Sequence, residues 1–315
     1  MSIVVVTDST SDIPSSEAQA MGVHVVPLIV RFGNEQYRDG VDIDADQFYA
    51  KLKQTSVHPT TSQPSPDVFA TLYKTLLADP DDHVVGLHIS AKLSGTLQSA
   101  TLAAQDFDPA RIHLVDTESV SGGLQLLVRA ALDDIKAGDT AAMVSEKATR
   151  RRGKVTILVL LDTLTYLHRG GRIGRAQAFV GSLLNVKPLI AVRDGEVVPV
   201  ARLRSHAKGI DMIVEQVRGC APLRGLAEFH AAAAGSMAAN SGPKSSFIWF
   251  RRYSRLEANW AANRGWNGDR NLVTMAAFPT ASKSRNRWST RADALARKGS
   301  WGEMSIDTRG RARSR

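Results

Sequence analysis

The chain has 315 residues, of which 43% are apolar, enough for about two domains with a sizeable core. A disordered or fibrous protein is therefore excluded. The formal net charge of +9 suggests a polyanionic partner, but the charge is unevenly placed. Residues 1 to 230 hold 24 basic and 26 acidic residues, whereas residues 231 to 315 hold 16 and 5 and also all five tryptophans. The positive charge therefore says nothing about the partner of the first 230 residues.

Cysteine content and hydropathy predict the cellular setting. Cys220 is the only cysteine, which excludes an intramolecular disulfide and a multi-cysteine zinc site. The amino terminus lacks the basic start and long apolar run of a signal peptide, and no stretch approaches the ~20 apolar residues that span a bilayer. We expect a soluble cytoplasmic protein with at most transient membrane contact.

The first part of the chain has the pattern of an α/β domain with a parallel sheet, over residues 1–152. Short β-branched runs alternate with loops of small residues and with helical patterns. Ser65 and Pro66 mark the start of one helix as N-cap and first helical residue. The predicted strands cover residues 3–7, 24–30, 83–89 and 111–115, and the predicted helices cover 16–21, 67–77, 94–104 and 124–136.

A charge run at residues 150–154 is interpreted as a solvated linker, and residues 153–234 as the first part of a second, mixed α/β domain. Asp194-Gly195 between two apolar runs predicts a hairpin. The predicted elements are strands 155–161, 187–192, 197–203 and 226–230 and helices 176–184 and 207–218. Hydrophobic periodicity fails beyond residue 234, so that residues 235–315 are predicted to be a disordered basic tail or out-of-frame sequence.

Three loops that follow predicted strands are rich in hydroxyl and glycine residues: 8–12, 93–96 and 116–123. Ligands of open α/β sheets bind at the carboxyl ends of strands, where hydroxyl groups and helix amino termini suit a carboxylate or phosphate. The alternative is that these loops are ordinary helix caps. The turn at 168–174, with two arginines among three glycines, is either a second anion loop or a solvated turn.

Motifs for catalysis are scarce. The chain has no GxSxG, HExxH or paired CxxC motif, and Ser205-His206-Ala207-Lys208 matches SxxK at a frequency expected by chance. Asp8 and Asp12 could share a metal, but capping of the loop by a strand-end aspartate is the better interpretation. We therefore predict no catalytic residue, no metal and no cofactor.

Five spaced motifs together resemble the DegV family over about residues 1–233. They occur in the family's order and are much more specific together than singly. They are Val6-Thr7-Asp8-Ser9-Thr10-Ser11-Asp12, Thr60-Thr61-Ser62-Gln63-Pro64-Ser65, Leu93-Ser94-Gly95-Thr96-Leu97-Gln98-Ser99-Ala100, Asp116-Thr117 with Ser121-Gly122-Gly123, and Tyr166-Leu167-His168-Arg169-Gly170-Gly171-Arg172-Ile173.

The resemblance implies a two-domain α/β protein that holds one long-chain fatty acid, such as palmitate, between the domains. Such a protein is not an enzyme, and it presents the acid to a fatty acid kinase or serves lipid transport. Thr61 and Ser94 would bind the carboxylate. Supporting head-group residues would be Ser62, Gly95, Thr96, Arg169 and Arg172, and Arg202 would contact a kinase partner.

The family closes its second domain with a motif that contains a histidine. This chain has no histidine after His230, so the resemblance ends before that motif. We hypothesise that residues 235–315 are read in a shifted frame. The coding DNA tests this, since another frame should encode a Gly-x-His-x-Gly-Pro-Gly-like motif. The strand at 226–230 would then be a partly unpaired edge.

Two other functions stay open at this stage. The basic tail with its tryptophans could bind nucleic acid by phosphate contact and stacking, although no recognised motif accompanies it, and we expect no nucleic-acid partner. The hydroxyl loops could alternatively serve an enzyme acting on a small phosphorylated or otherwise anionic substrate, but no convincing general base lies beside them.

Overall fold

The computed structural model describes residues 2–179, 186–219, 223–230 and 271–277, and side chains are discussed only up to residue 216. Within these residues the chain forms three β-sheets and eight α-helices, numbered below in chain order. The tail beyond residue 234 lies outside the described residues apart from 271–277.

The first sheet is parallel throughout, in the order β2-β1-β6-β7, as the alternating pattern of strands and helices predicts. Its strands are buried apolar runs, which a parallel sheet covered on both faces requires. They are β1 (Ile3–Asp8), β2 (Val23–Val26), β6 (His83–His88) and β7 (Ile112–Asp116). The associated helices are α1 (Ser15–Met21), α3 (Pro66–Leu76), α4 (Thr96–Ala104), α5 (Gly122–Lys136) and α6 (Ala141–Arg152).

A small antiparallel sheet, ordered β4-β3-β5, lies between the first and second halves of this domain in sequence. The single strand predicted at 24–30 was wrong, because the chain breaks at Pro27 and Leu28, and its second half pairs with other strands. The elements of this part are β3 (Ile29–Phe32), β4 (Glu35–Arg38), α2 (Ala45–Gln54) and β5 (Thr60–Ser62).

The second large sheet is mixed, in the order β10-β9-β8-β12-β11. The predicted hairpin is confirmed, and Asp194 and Gly195 adopt the positive φ angles of 51° and 75° that its turn requires. In place of the helix predicted from residue 176, the structure has a 3-10 helix, Gly174–Phe179, and residues 180–184 lie outside the described part. The other elements are β8 (Val155–Leu160), α7 (Thr165–Arg169), β9 (Lys187–Arg193), β10 (Glu196–Leu203), α8 (His206–Gly219), β11 (Leu223–His230) and β12 (Asn271–Ala277).

Strand β12 corrects the expectation that the tail contains no regular structure. It is parallel to both β8 and β11 and lies between them. The sheet therefore includes a strand from the basic tail, and β11, the last strand in the order, pairs along its length with β12 on one side and forms the edge of the sheet with the other.

Helix α5 joins the two large sheets into one core, since it contacts strands of both. One hydrophobic cluster includes Val5 and Val85 of the first sheet, Leu127 of α5, and Ile157 and Ile190 of the second sheet. Each such buried side chain contributes about 1.5–3 kcal/mol to stability. The core is thus continuous across the predicted domain boundary at residues 152 and 153.

The prediction that the arginine run before this boundary is a solvated linker was wrong. Arg150, Arg151 and Arg152 form the last turn of α6. Arg151 faces inward, is 4% exposed and forms a two-pronged ion pair with the buried Asp134 of α5. A helix places consecutive residues on different faces, so one of three adjacent arginines becomes structural while Arg150 remains exposed.

Candidate functional site

A cavity of about 220 Å³ lies where the small antiparallel sheet meets the carboxyl ends of β1 and β6. This is the edge of a parallel sheet where ligands bind in open α/β folds. The lining residues come from two of the three hydroxyl loops, from β3 and β5 and the residues next to them, from the residues that follow β4 and β6, and from the turn after α7. They are Ser9, Thr10, Asp12, Leu28, Val30, Asp39, Thr61, Ser62, Gln63, Ile89, Leu93, Ser94 and Arg172.

Strand β5 brings Thr61 and Ser62 to the cavity. Pairing of Thr61 with Val30 of β3 fixes the register of this short strand. Both side chains are half-buried, and neither hydroxyl has a hydrogen-bond partner among the residues that the structure describes. Each can therefore donate its proton to a ligand without breaking a bond within the protein.

Ser94 belongs to the loop that precedes α4. Its Oγ lies 2.9 Å from Thr96 Oγ1 and accepts a 3.3 Å hydrogen bond from the Thr96 backbone N–H. Thr96 itself is fully buried and does not line the cavity. Its place is therefore behind Ser94, whose hydroxyl it holds in position.

Gly95 also lies outside the cavity wall, and its lack of a side chain matters for Gln63. A Cβ atom at position 95 would come within 2.3 Å of Gln63 Oε1. The Gln63 side chain, which lines the cavity, donates from Nε2 to Ser99 Oγ at 3.3 Å. Gly95 thus makes room for a neighbouring side chain rather than contacting a ligand through one of its own.

Arg172 brings a positive charge to the cavity from the second half of the chain. Its Nε donates to the Leu93 carbonyl at 3.1 Å and its Nη1 to the Gly170 carbonyl at 2.7 Å. Across the described ranges, no carboxylate lies within ion-pair distance of this guanidinium. A cation fixed by neutral carbonyls keeps its charge available for an anionic ligand.

The other two arginines predicted for function do not reach the cavity. Arg169 is exposed and lies near His58. The pKa of His58 is lowered mainly by the burial of its ring and secondly by the positive charge of Arg169. Arg202 is exposed on β10, where its Nη2 donates to the Ala178 carbonyl at 2.7 Å and its guanidinium covers the Phe179 ring. Of the predicted residues, the cavity therefore brings together Thr61, Ser62, Ser94 and Arg172.

The loop at residues 8–12 acts both as a cap and as a wall of the cavity. Ser9 Oγ accepts a 3.1 Å hydrogen bond from the Leu28 N–H, and Asp12, at φ 56°, accepts one of 2.6 Å from Ser121 Oγ. Asp8 caps the 3-10 helix Ser9–Ser11, as the sequence predicts. The described residues contain no group of three or more histidine, cysteine, aspartate or glutamate side chains that could hold a metal.

The third hydroxyl loop, at residues 116–123, does not line the cavity, contrary to the expected convergence of all three loops. Its polar groups bond within the protein instead, to nearby backbone and, through Ser121, to the Asp12 side chain. Thr117 Oγ1 donates to the His88 carbonyl at 2.6 Å, and Asp116 Oδ1 accepts from the Glu118 N–H at 2.9 Å. The helix-cap interpretation is wrong here too, because Ser121, at the N-cap position of α5, makes no side-chain capping hydrogen bond.

Four apolar residues that sequence reasoning did not assign to the site, Leu28, Val30, Ile89 and Leu93, form another part of the wall. Nothing in the sequence distinguishes them from ordinary core residues. Asp12 and Asp39 also border the cavity, and Coulomb repulsion from them favours placing an anion next to Arg172. The arrangement suits a molecule with a small anionic head and an apolar body.

None of the described helices is both long enough and apolar enough to cross a membrane.

Comparison with known proteins identifies relatives for most of this fold. The family model described as "Uncharacterised protein, DegV family" matches residues 2–241. A DegV domain-containing protein of Deinococcus radiodurans is 42% identical over 218 residues, which are 69% of this chain and 77% of that protein.

Two solved structures that resemble this one are described by the lipid they bind. A DegV family protein of Thermus thermophilus, described as fatty-acid-binding, has a TM-score of 0.68 and 40% identity, covering 74% of this chain and 83% of that one. A stearic-acid-binding protein of Eubacterium ventriosum has a TM-score of 0.63 and 27% identity, covering 68% and 75%. On the extent of the family match and the identity to these relatives, the chain belongs to the DegV family.

Proposed function

We propose that this protein binds a long-chain fatty acid and holds the carboxylate at Thr61 and Ser94, with Arg172 as counter-charge and Ser62 in support. The observation that carries the proposal is one cavity that combines the uncommitted hydroxyls of Thr61 and Ser62, an arginine without an acidic partner in the described part of the chain, and an apolar wall. The fatty-acid-binding descriptions of the two similar structures support it.

The energetics divide between the two ends of such a ligand. Burial of about fourteen methylenes at ~0.8 kcal/mol each gives a gross term of ~11 kcal/mol, so the acyl chain supplies most of the affinity. Each hydrogen bond to the carboxylate adds about 1.5–3 kcal/mol and fixes its orientation. Hydroxyl donors with one arginine release the acid more readily than a tight, fully buried ion pair.

We also propose that the protein is a carrier rather than an enzyme, and that it presents the acid to a fatty acid kinase or to lipid transport. Arg202 is the proposed contact with the kinase. Its support is the exposure of the side chain on β10, which is an edge strand of the second sheet.

Mass spectrometry of organic extracts from the purified protein tests ligand binding directly. We expect a long-chain fatty acid in near-stoichiometric amount and thermal stabilisation by palmitate or oleate. Absence of both would overturn the proposal. A different co-purified molecule, such as nucleic acid or a phosphorylated metabolite, would indicate one of the other functional classes.

The double variant Thr61→Val/Ser94→Ala tests the head-group site. Two lost hydrogen bonds to a carboxylate correspond to a fall in affinity of about 100-fold or more. The control is Ser145→Ala/Thr149→Val, which removes two hydroxyls that bond to backbone on the exposed face of α6. Equal affinities of the two double variants would contradict the assignment.

For the partner, formation of acyl phosphate by a bacterial fatty acid kinase is compared between the wild type and Arg202→Ala. We expect slower formation with unchanged fatty acid content. Equal rates would remove Arg202 from the proposed contact.

A further inference from the structure

The carboxylate of Asp8 lies behind the cavity, at the end of β1 and next to the end of β6. Its side chain is completely buried and is not part of the cavity wall. One oxygen accepts from both the backbone N–H (3.2 Å) and the hydroxyl of Thr10. The other accepts from the Ile89 N–H at 3.0 Å and faces His88 Nδ1 at 3.2 Å. A carboxylate offers about four lone-pair sites, so that these four donors use all of them.

Two of the residues that Asp8 holds, Thr10 and Ile89, are themselves cavity-lining. They belong to different strand-end loops, which the chain connects only through distant residues. Ser9, between Asp8 and Thr10, extends the linkage because its Oγ accepts from the N–H of Leu28, another lining residue. One buried carboxylate therefore ties two walls of the cavity together.

His88 fixes the state of this linkage. Its ring is completely buried and packs edge-on against Phe69, with ring centroids 5.3 Å apart. Nδ1 faces Asp8, whereas Nε2 has no hydrogen-bond partner in the described ranges. Because Nε2 has no acceptor, whereas Nδ1 faces the Asp8 carboxylate, the arrangement favours a proton on Nδ1 that Asp8 accepts.

We propose that Asp8 is a positioning residue for the lipid site: it holds the Thr10 and Ile89 walls at the spacing that the ligand needs, and His88 serves as its fourth donor. The inference rests on the proposed function, because the walls are those of the proposed fatty acid site. Asn at position 8 would offer one oxygen to four donors and would turn its own N–H groups toward two of them.

The test compares Asp8→Asn with Asp134→Asn. Asp134 is also a buried carboxylate, but its partners are Arg151 and Lys147 and it does not line the cavity. Both variants lose thermal stability. At a temperature where both are folded, we expect Asp8→Asn to weaken palmitate binding at least tenfold and Asp134→Asn less than twofold. Equal weakening, or none for Asp8→Asn, would overturn the proposal.

A second pair of variants covers the case in which Asp8→Asn does not fold. His88→Leu removes the donor to Asp8, whereas His88→Asn can restore an N–H near the position of Nδ1. Position 88 does not line the cavity, so neither variant changes its wall directly. We expect weaker palmitate binding for His88→Leu and near-wild-type binding for His88→Asn. Equal binding by both variants would contradict the positioning role.

Hydrogen exchange separates this proposal from the proposed function. Without added lipid, peptides covering residues 9–12 and 89–94 should exchange faster in Asp8→Asn than in Asp134→Asn. If this exchange difference is present but the wild type holds no fatty acid, only the proposed function fails. If the exchange difference is absent, the positioning proposal fails whether or not the wild type binds lipid.

Discussion

Each of the two large sheets has an aspartate at the carboxyl end of a strand, but the two aspartates have different hydrogen-bond donors. Near the carboxyl end of β8 in the second sheet, Asp162 accepts hydrogen bonds from Lys187 Nζ at 2.6 Å and His206 Nε2 at 2.7 Å. At the carboxyl end of β1 in the first sheet, the buried Asp8 is held by two backbone N–H groups, the Thr10 hydroxyl and the His88 ring, and the hydroxyls of Thr61 and Ser62 beyond it remain uncommitted within the described structure.

This difference shows how the fold separates a stabilising network from a binding site. At the second sheet, opposite charges satisfy one another and leave little for a ligand. At the first sheet, the charge that a ligand would need comes from Arg172, which the second half of the chain contributes. The site is therefore built across the two halves, although most of its residues belong to the first.

The largest expected effect tests whether the two sheets are one folding unit. Leu127→Ala on α5 removes a fully buried side chain from the core shared by both sheets. We expect a loss of about 2–5 kcal/mol in the free energy of unfolding, with a single transition in urea monitored by circular dichroism. Two separate transitions would mean that the sheets are energetically independent.

The next largest effect tests whether the charge of Arg172 contributes to fatty acid binding. Arg172→Met removes the cation from the cavity, and we expect fatty acid affinity to fall about 10- to 100-fold, equivalent to roughly 1.5–3 kcal/mol. Arg169→Met is the matched control, because that arginine is exposed and does not line the cavity. Titration calorimetry with palmitate measures both, and similar losses would argue for a general electrostatic effect.

A smaller effect is expected at the second sheet. Burial raises the pKa of Asp162, but hydrogen bonds from His206 and Lys187 outweigh it, so that the pKa lies below its ordinary value. We expect Asp162→Asn to cost about 1–2 kcal/mol of stability at pH 7, without a change in fatty acid affinity.

The pH dependence of this cost follows from the direction of the shift. A depressed pKa in the folded state stabilises the protein above the ordinary carboxyl pKa of about 3.9, and this contribution is lost as pH falls through the lower, folded value. The stability difference between wild type and Asp162→Asn should therefore shrink below about pH 4. A difference that stays constant down to pH 2 would show that the charge of Asp162 does not contribute.

The parts of the fold that the sequence predicts well are those set by strong local patterns. In these places the local sequence favours a single structure. Examples are the apolar runs at β1, β6 and β8, the N-cap position of Ser65 before α3, and the Asp194-Gly195 turn. The split of the predicted strand 24–30 at Pro27 depends instead on pairing with β4 and β5, which lie later in the chain. Strand β12 depends on the edge that β8 and β11 present, because its own sequence is weakly patterned.

The candidate site divides in the same way. Thr61, Ser62, Ser94 and Arg172 were predicted from motif resemblance and do line the cavity, while their role in binding stays a prediction. Arg169 has the same residue type as Arg172 and lies three positions away, yet only the latter is turned inward by its bonds to Leu93 and Gly170. Such orientation depends on contacts from distant residues that spacing alone does not contain.

The position of β12 has a consequence for how the chain folds during synthesis. The strands of the first sheet are all present once residue 116 has been made, whereas the strand between β8 and β11 in the second sheet is supplied by residues 271–277. Until then β8 has only β9 beside it, and its other edge exposes unpaired backbone groups. The nascent chain therefore passes through a stage in which all strands of the first sheet have been made while β8 of the second sheet still has an open, aggregation-prone edge.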